Sequence, residues 1–311
     1  MRAGGNSLNI LYYNNCWFTN VGEAFIDIGS MELIQNIFEK SKLINLSNMS
    51  KWYIHQKCIE EKVQFEENSC FSMCDYYLGD YAVFSGMFAS EEFLDSTTCI
   101  MIKELSRKGV KIIFLGLGQC TYSEVETKRF REFISQINIK LIVSRDEVVY
   151  QNFKDVVPCI NGIDCAFWVR NVYDPRCEVT KKYDVVTYNR STEPQNLKTE
   201  NEVIRAYHLQ YFFKINKFVP NMLISDTPYD YLTLYANAEN VYTDLVHATI
   251  ISLQYGKHVK FDRVDKRAYA IDALNRIGLN VDEKGRYYID EKVLELEKKR
   301  IIEKIKKKII L

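Results

Sequence analysis

Val110-Lys111-Ile112-Ile113-Phe114-Leu115-Gly116-Leu117-Gly118-Gln119 decides the fold class. Its apolar run is continuous rather than alternating, as expected of a strand covered on both faces of a parallel sheet, and it ends in a glycine pair. Just upstream, a helical stretch from Thr97 to Lys108 stops at Gly109, a helix-ending position. Just downstream, a helix over Glu124 to Gln136 leads to a strand at Lys140–Ser144. Strands that alternate with helices of roughly ten to fifteen residues imply an α/β fold with a mostly parallel sheet.

The alternation extends both ways. Leu8–Tyr13 reads as a strand that runs through a polar loop into a helix bearing Ala24, Ile28, Leu33, Ile34 and Ile37 at helical spacing. Tyr81–Ser85 is a short strand ending in Gly86. In the second half the pattern predicts a strand at Tyr183–Tyr188, a helix at Glu200–Leu209 and a strand at Tyr211–Ile215. It continues with a helix at Tyr229–Ala238, a strand at Asn240–Thr243 and a helix at His247–Tyr255 closed by Gly256. A strand at His258–Asp262 and a helix at Lys266–Ile277 follow. The polar stretch Asn171–Lys182, with Pro175, is the expected boundary, giving two facing α/β domains over residues 1–170 and 171–290. Residues 291–311 form a lysine-rich helix with Ile301, Ile302, Ile305 and Ile309 along one face. Either that stripe packs on a domain, or the helix rests on an anionic membrane surface.

The 311 residues are 47% hydrophobic and 26% charged, a folded composition, and are long enough for two cores. Forty-one basic residues balance 41 acidic ones, which argues against a nucleic-acid binder driven by bulk charge. No apolar run reaches the ~20 residues that cross a bilayer, and Met1–Gly5 lacks a signal-peptide core. Nine scattered cysteines fit a reduced, cytoplasmic compartment. His55, Cys58, Cys70 and Cys74 have a spacing that zinc accepts, but the acidic stretch between them has no turn glycine, so free thiols are the expectation and no metal is assigned.

In open α/β sheets ligands bind outside the carboxyl ends of the strands. At the first such end, Asn20-Val21-Gly22-Glu23 opens a helix whose N–H groups attract an anion, or Glu23 simply favours the helix dipole. Ser85-Gly86-Met87-Phe88 and Gly116-Leu117-Gly118-Gln119 are glycine turns without full dinucleotide spacing, so NAD is not inferred. Arg145, in Ser144-Arg145-Asp146-Glu147, is suited to a forked grip on phosphate or carboxylate, or to a structural pair with a nearby acid. Val241-Tyr242-Thr243-Asp244-Leu245-Val246-His247-Ala248 is the most informative, with Asp244 as helix cap and His247 in the first turn beyond it. There His247 is either a satisfied core residue or a catalyst facing an inter-domain cleft.

These motifs together resemble the polysaccharide pyruvyl transferase family, whose Asn-x-Gly-Asp corresponds to Asn20-Val21-Gly22-Glu23. Ser85-Gly86, Gly116-Leu117-Gly118, Arg145-Asp146 and Asp164-Cys165-Ala166-Phe167 match in order, and Thr243-Asp244-Leu245-Val246-His247-Ala248 matches Ser/Thr-Asp-Arg-x-His-Ala/Gly. The resemblance implies two facing Rossmann-like domains, similar to GT-B glycosyltransferases. It also implies transfer of pyruvate from phosphoenolpyruvate to a sugar or lipid-linked glycan as a ketal, in surface-polysaccharide biosynthesis and without a cofactor. His247 would then be the acid, Arg145 part of an anion clamp and Asp244 a third catalytic residue; Asn20, Gly22, Glu23, Gly86, Gly118 and Lys266 would contact substrate. The family arginine is Leu245 here, its aspartate is Glu23 and its proline is His258. Arg263, Lys266 or Arg267 are the expected replacements for the lost charge. A GT-B-like glycosyltransferase using a nucleotide sugar, or a degenerate glycan-binding member, remains the alternative.

Overall fold

Lys111–Gln119 forms a nine-residue strand that continues through both of its glycines instead of ending at them. The structure is a computed structural model describing residues 7–15, 17, 19–47, 50–66, 69–209 and 219–310. Gly116 sits at φ +64, and the register with the strand Ile139–Ser144 slips between Leu115 and Leu117. One extra residue of this kind is a bulge, and it inverts which face each later side chain meets. Ile113 and Leu115 face one core, whereas Leu117 joins Ile112 and Phe114 in the other.

The first sheet runs Lys42–Ser47, Asn9–Asn14, Tyr81–Ser85, Lys111–Gln119, Ile139–Ser144, Cys159–Asn161, with Phe88–Ala89 beside the end of the fourth. Every pairing in it is parallel. The second sheet runs Met222–Leu223, Glu202–Ala206, Tyr183–Thr187, Asn240–Thr243, His258–Phe261, then Tyr287–Tyr288 and Asn280–Val281. Its first five strands are parallel and the last two antiparallel. These are two Rossmann-like, GT-B-like halves.

Three expectations need correction. Glu200–Leu209 is not a helix: Glu202–Ala206 is a strand, because pairing with Tyr183–Thr187 and Met222–Leu223 overrides a mixed local propensity. Lys266–Ile277 is helical only in short pieces, with 3₁₀ turns at Lys266–Ala268 and Ala273–Ile277 around one α turn, Tyr269–Asp272. Asp244 does not cap the helix Val246–Gln254; Leu245 occupies that position, and Thr243 Oγ1 accepts from its N–H at 2.9 Å. The strand expected at Tyr211–Ile215 lies outside the described residues.

The helix Val21–Ile37 is buried on almost every side, packed between the first sheet and the helices Val246–Gln254 and Pro228–Asn237 of the second. Gly29 lets it touch the chain crossing between the halves, where a Cβ would lie 2.0 Å from the Cys165 carbonyl oxygen. Glu291–Ile310 returns to the first half, against Val21–Ile37, Ile139–Ser144 and Cys159–Asn161. Leu294, Ile301 and Ile305 are fully buried there, and Ile302 and Ile309 pack partly buried against the same cluster. Among the described residues no helix is long and apolar enough to cross a membrane. Among the described residues no group of three or more His, Cys, Asp or Glu could hold a metal ion; the His55 ring packs on Phe65, Cys70 donates to the Glu66 carbonyl and Cys74 is core.

Candidate active site between the two sheets

The carboxyl ends of both sheets open into one cleft, with a cavity of about 70 Å³. Asn20, Glu23, Phe88 and Arg145 line it from the first half, and Arg190, His208, Leu245, His247, Asp265 and Arg267 from the second. The two groups singled out in sequence, Arg145 and His247, therefore share a wall-to-wall space.

Arg145 follows the strand Ile139–Ser144 and is 1% exposed. Its guanidinium carbon lies 4.6 Å from the centre of the Phe88 ring. On its other side is Gly118, turned toward it by the bulge at Gly116; a Cβ at 118 would come within 2.5 Å of Arg145 Nε. Nε and one terminal nitrogen are buried without a hydrogen-bond partner. An arginine held this way is set for an acceptor that the protein itself does not supply.

His247 sits in the first turn of Val246–Gln254, with its ring against Gly22, where a Cβ would meet Nδ1 at 2.5 Å. Its Nε2 also lacks a partner. Beside both groups is Asp164, whose Oδ2 stands 3.7 Å from both His247 Nε2 and Arg145. That spacing exceeds a hydrogen bond, and Oδ2 is unpartnered too, while Oδ1 accepts from the Ala166 N–H at 2.9 Å. Burial would push the Asp164 carboxyl up, but His247 and Arg145 together hold it below its ordinary value. Glu23 goes the other way: burial pushes it up, and the same two residues offset only part of that.

Several predicted contacts differ from expectation. The helix Val21–Ile37 offers no anion site at its start, because Val21 N–H donates to the His208 carbonyl, Gly22 N–H to Asn20 Oδ1 and Glu23 N–H to the Asn20 carbonyl. Gly86 serves packing: it has φ +62, and a Cβ would strike Ile26. Lys266 does not line the cleft; its ammonium holds the Thr121 carbonyl at 2.9 Å across the two halves. Arg263 pairs with Asp272 instead. Asp244 accepts from the N–H groups of Asn189, Arg190 and Ser191, and from the Ser191 hydroxyl at 3.0 Å. A protein carboxylate thus fills the backbone nest after the strand Tyr183–Thr187.

Two cleft residues escaped the sequence reading. Arg190 follows Tyr183–Thr187, and among the described residues no carboxylate pairs with its guanidinium; burial and the neighbouring Arg267 push it below its ordinary value. Arg267, by contrast, is paired with Asp265. His208 follows Glu202–Ala206, with Nε2 2.6 Å from the Tyr235 hydroxyl. Burial, with help from His247, pushes its pKa down to about 3, so it is neutral near pH 7. The strand-end rule would have flagged both, had the segment before His208 been read as a strand.

The sequence profile of the polysaccharide pyruvyl transferase family matches residues 20–259, most of the chain and all of the cleft residues but Phe261, Val264, Asp265 and Arg267. The chain belongs to this family. A search of curated proteins finds no match. Among solved structures, UDP-N-acetylglucosamine 2-epimerase from Rickettsia bellii is similar at 12% identity and a TM-score of 0.53, covering 96% of each chain. The enzyme of that name from Methanocaldococcus jannaschii gives 12% and 0.51, over 96% of this chain and 99% of that one. The one from Neisseria meningitidis, solved with UDP-GlcNAc, gives 12% and 0.51, over 97% and 94%. At such identity the likeness speaks for the fold alone. Leu245 stands at the cleft wall and is 6% exposed.

Proposed function

We propose that this family member moves pyruvate from phosphoenolpyruvate onto two hydroxyls of a sugar or lipid-linked glycan, as a step in surface-polysaccharide assembly in the cytoplasm. The observation that carries this reading is the set of unpartnered donors on Arg145 and His247, aimed into one cleft across Asp164. A small, highly charged enol phosphate needs fixed cations for its anionic groups and a proton donor for its carbon.

In the proposed reaction His247 protonates the methylene carbon, which leaves cationic character at the carbon bearing the phosphate. A sugar hydroxyl adds there, the carbon–oxygen bond to phosphate breaks, and a second hydroxyl closes the ketal. Of the two hydroxyl protons, one replaces that given by His247 and the other leaves with phosphate. Glu23, kept high by burial, is the carboxylate placed to receive a hydroxyl proton. Arg145 grips the donor from the first half, and Arg190 takes the place left by Leu245 in the second.

The nucleotide-sugar alternative is less well supported. In such folds a strand-end nest of N–H groups is a natural diphosphate site, and here Asp244 already occupies it. The deciding experiment incubates the protein with phosphoenolpyruvate and a panel of glycan acceptors, following phosphate release and ketal formation by mass. Thermal stabilisation by a nucleotide sugar alone, with no response to phosphoenolpyruvate, would overturn the proposal. Ligand affinity that His247→Asn leaves intact, with no turnover in either protein, would favour a glycan-binding role.

A further inference from the structure

A second groove lies where the helix Glu291–Ile310 meets the first half, away from the cleft. It is lined by Asn161 and Tyr150 on one side and by Arg276, Arg300, Lys304, Lys307 and Lys308 on the other, with a volume of about 600 Å³ and no aspartate or glutamate in its wall. The four helical cations are spaced i, i+4, i+7, i+8 and so share one face over about 12 Å of axis, longer than a single phosphate.

Lysines late in a helix also favour its dipole, which alone would explain Lys304, Lys307 and Lys308. Arg276 is not on that helix, however, and it is fixed in place by Asn161 Oδ1 at 2.7 Å and by the Gly162 carbonyl. Glu297 is shared between Arg276 and Arg300, and Glu147 holds Asn161 from outside. Five cations thus meet two carboxylates, and among the described residues Lys304, Lys307 and Lys308 make no ion pair. Burial and the charges of Arg300 and Arg276 push Lys304 below its ordinary value, with Glu297 offsetting in part. In a chain with no net charge, this local excess is a property of the groove.

The geometry points to a second anion site, which holds a phosphate-bearing polyanion of the pyrophosphate class at the seam of helix and sheet. Its floor, Asn161-Gly162, is two residues from Asp164, so groove and cleft share one short segment of chain.

The test is calorimetric titration of the full chain with inorganic pyrophosphate, and sedimentation with phosphatidylglycerol or phosphatidylcholine vesicles. It compares the natural protein, the triple variant Lys304→Glu/Lys307→Glu/Lys308→Glu, and the cleft variant Arg190→Ala, with circular dichroism to confirm folding. Pyrophosphate affinity should survive Arg190→Ala and fall at least tenfold in the triple variant, steeply with salt. If only phosphatidylglycerol vesicles bind, and the triple variant abolishes it, the phosphate comes from a lipid headgroup. Binding that the triple variant leaves unchanged, binding lost only in Arg190→Ala, or no binding to either probe overturns the assignment.

Discussion

At the scale of single residues, the cleft depends on two glycines as much as on its charged groups. Gly22 makes room for the His247 ring and Gly118 for the Arg145 guanidinium. Gly22→Ala should therefore displace the His247 ring and lower kcat while leaving the fold intact, measured by ketal formation beside thermal unfolding; an unchanged kcat would show that the ring has slack. His247→Asn removes the proposed proton donor and should cost roughly 100-fold or more in kcat. Arg190 and Leu245, which both line the cleft, give a paired prediction. Arg190→Ala should raise KM for phosphoenolpyruvate about tenfold or more, the loss of one charge-assisted contact. Leu245→Arg in that background should recover part of it; no recovery would place the replacement charge elsewhere.

At the scale of elements, what was legible followed from periodicity and what was missed followed from pairing. The run Ile112–Leu115, the glycine closing at Gly109 and the helix after Asp244 could be read because each carries its own local signal. Glu202–Ala206 could not, since Glu202 and Arg205 suit either state and only neighbouring strands settle it. That one misreading hid His208. Asp244 was legible as an important acid but not in its role, because the loop it holds is 55 residues away in sequence. Asp244→Ala would leave three N–H groups without their acceptor and should destabilise the chain by about 3 kcal/mol, read from a urea midpoint; a negligible shift would mean that the loop finds water instead. His208 gives a pH signature. Folding opposes its protonation, so the stability it contributes is complete above its unfolded value of 6.5 and is lost as pH falls from there toward about 3. Between pH 7.5 and 5 the natural protein should lose more stability than His208→Gln; equal losses would refute the neutral assignment.

At the scale of the whole molecule, the two halves are less separate than a boundary at Asn171–Lys182 suggests. One hydrophobic cluster runs from Ile10 through Trp168 to Ile305, and the Gln254 side chain reaches the Ala166 carbonyl at 2.8 Å. Ile305→Ala, deep in that cluster, should cost about 2–5 kcal/mol, and its effect should appear in the single unfolding transition of both halves rather than in one. Two resolved transitions, with only one moved, would show that the halves unfold independently.

The returning helix has a further consequence for how the molecule is made. Residues 291–310 cover strands that begin near residue 139, so they leave the ribosome long after the surface they protect. Until they arrive, the early half carries an open greasy flank, and its completion waits on a segment translated much later.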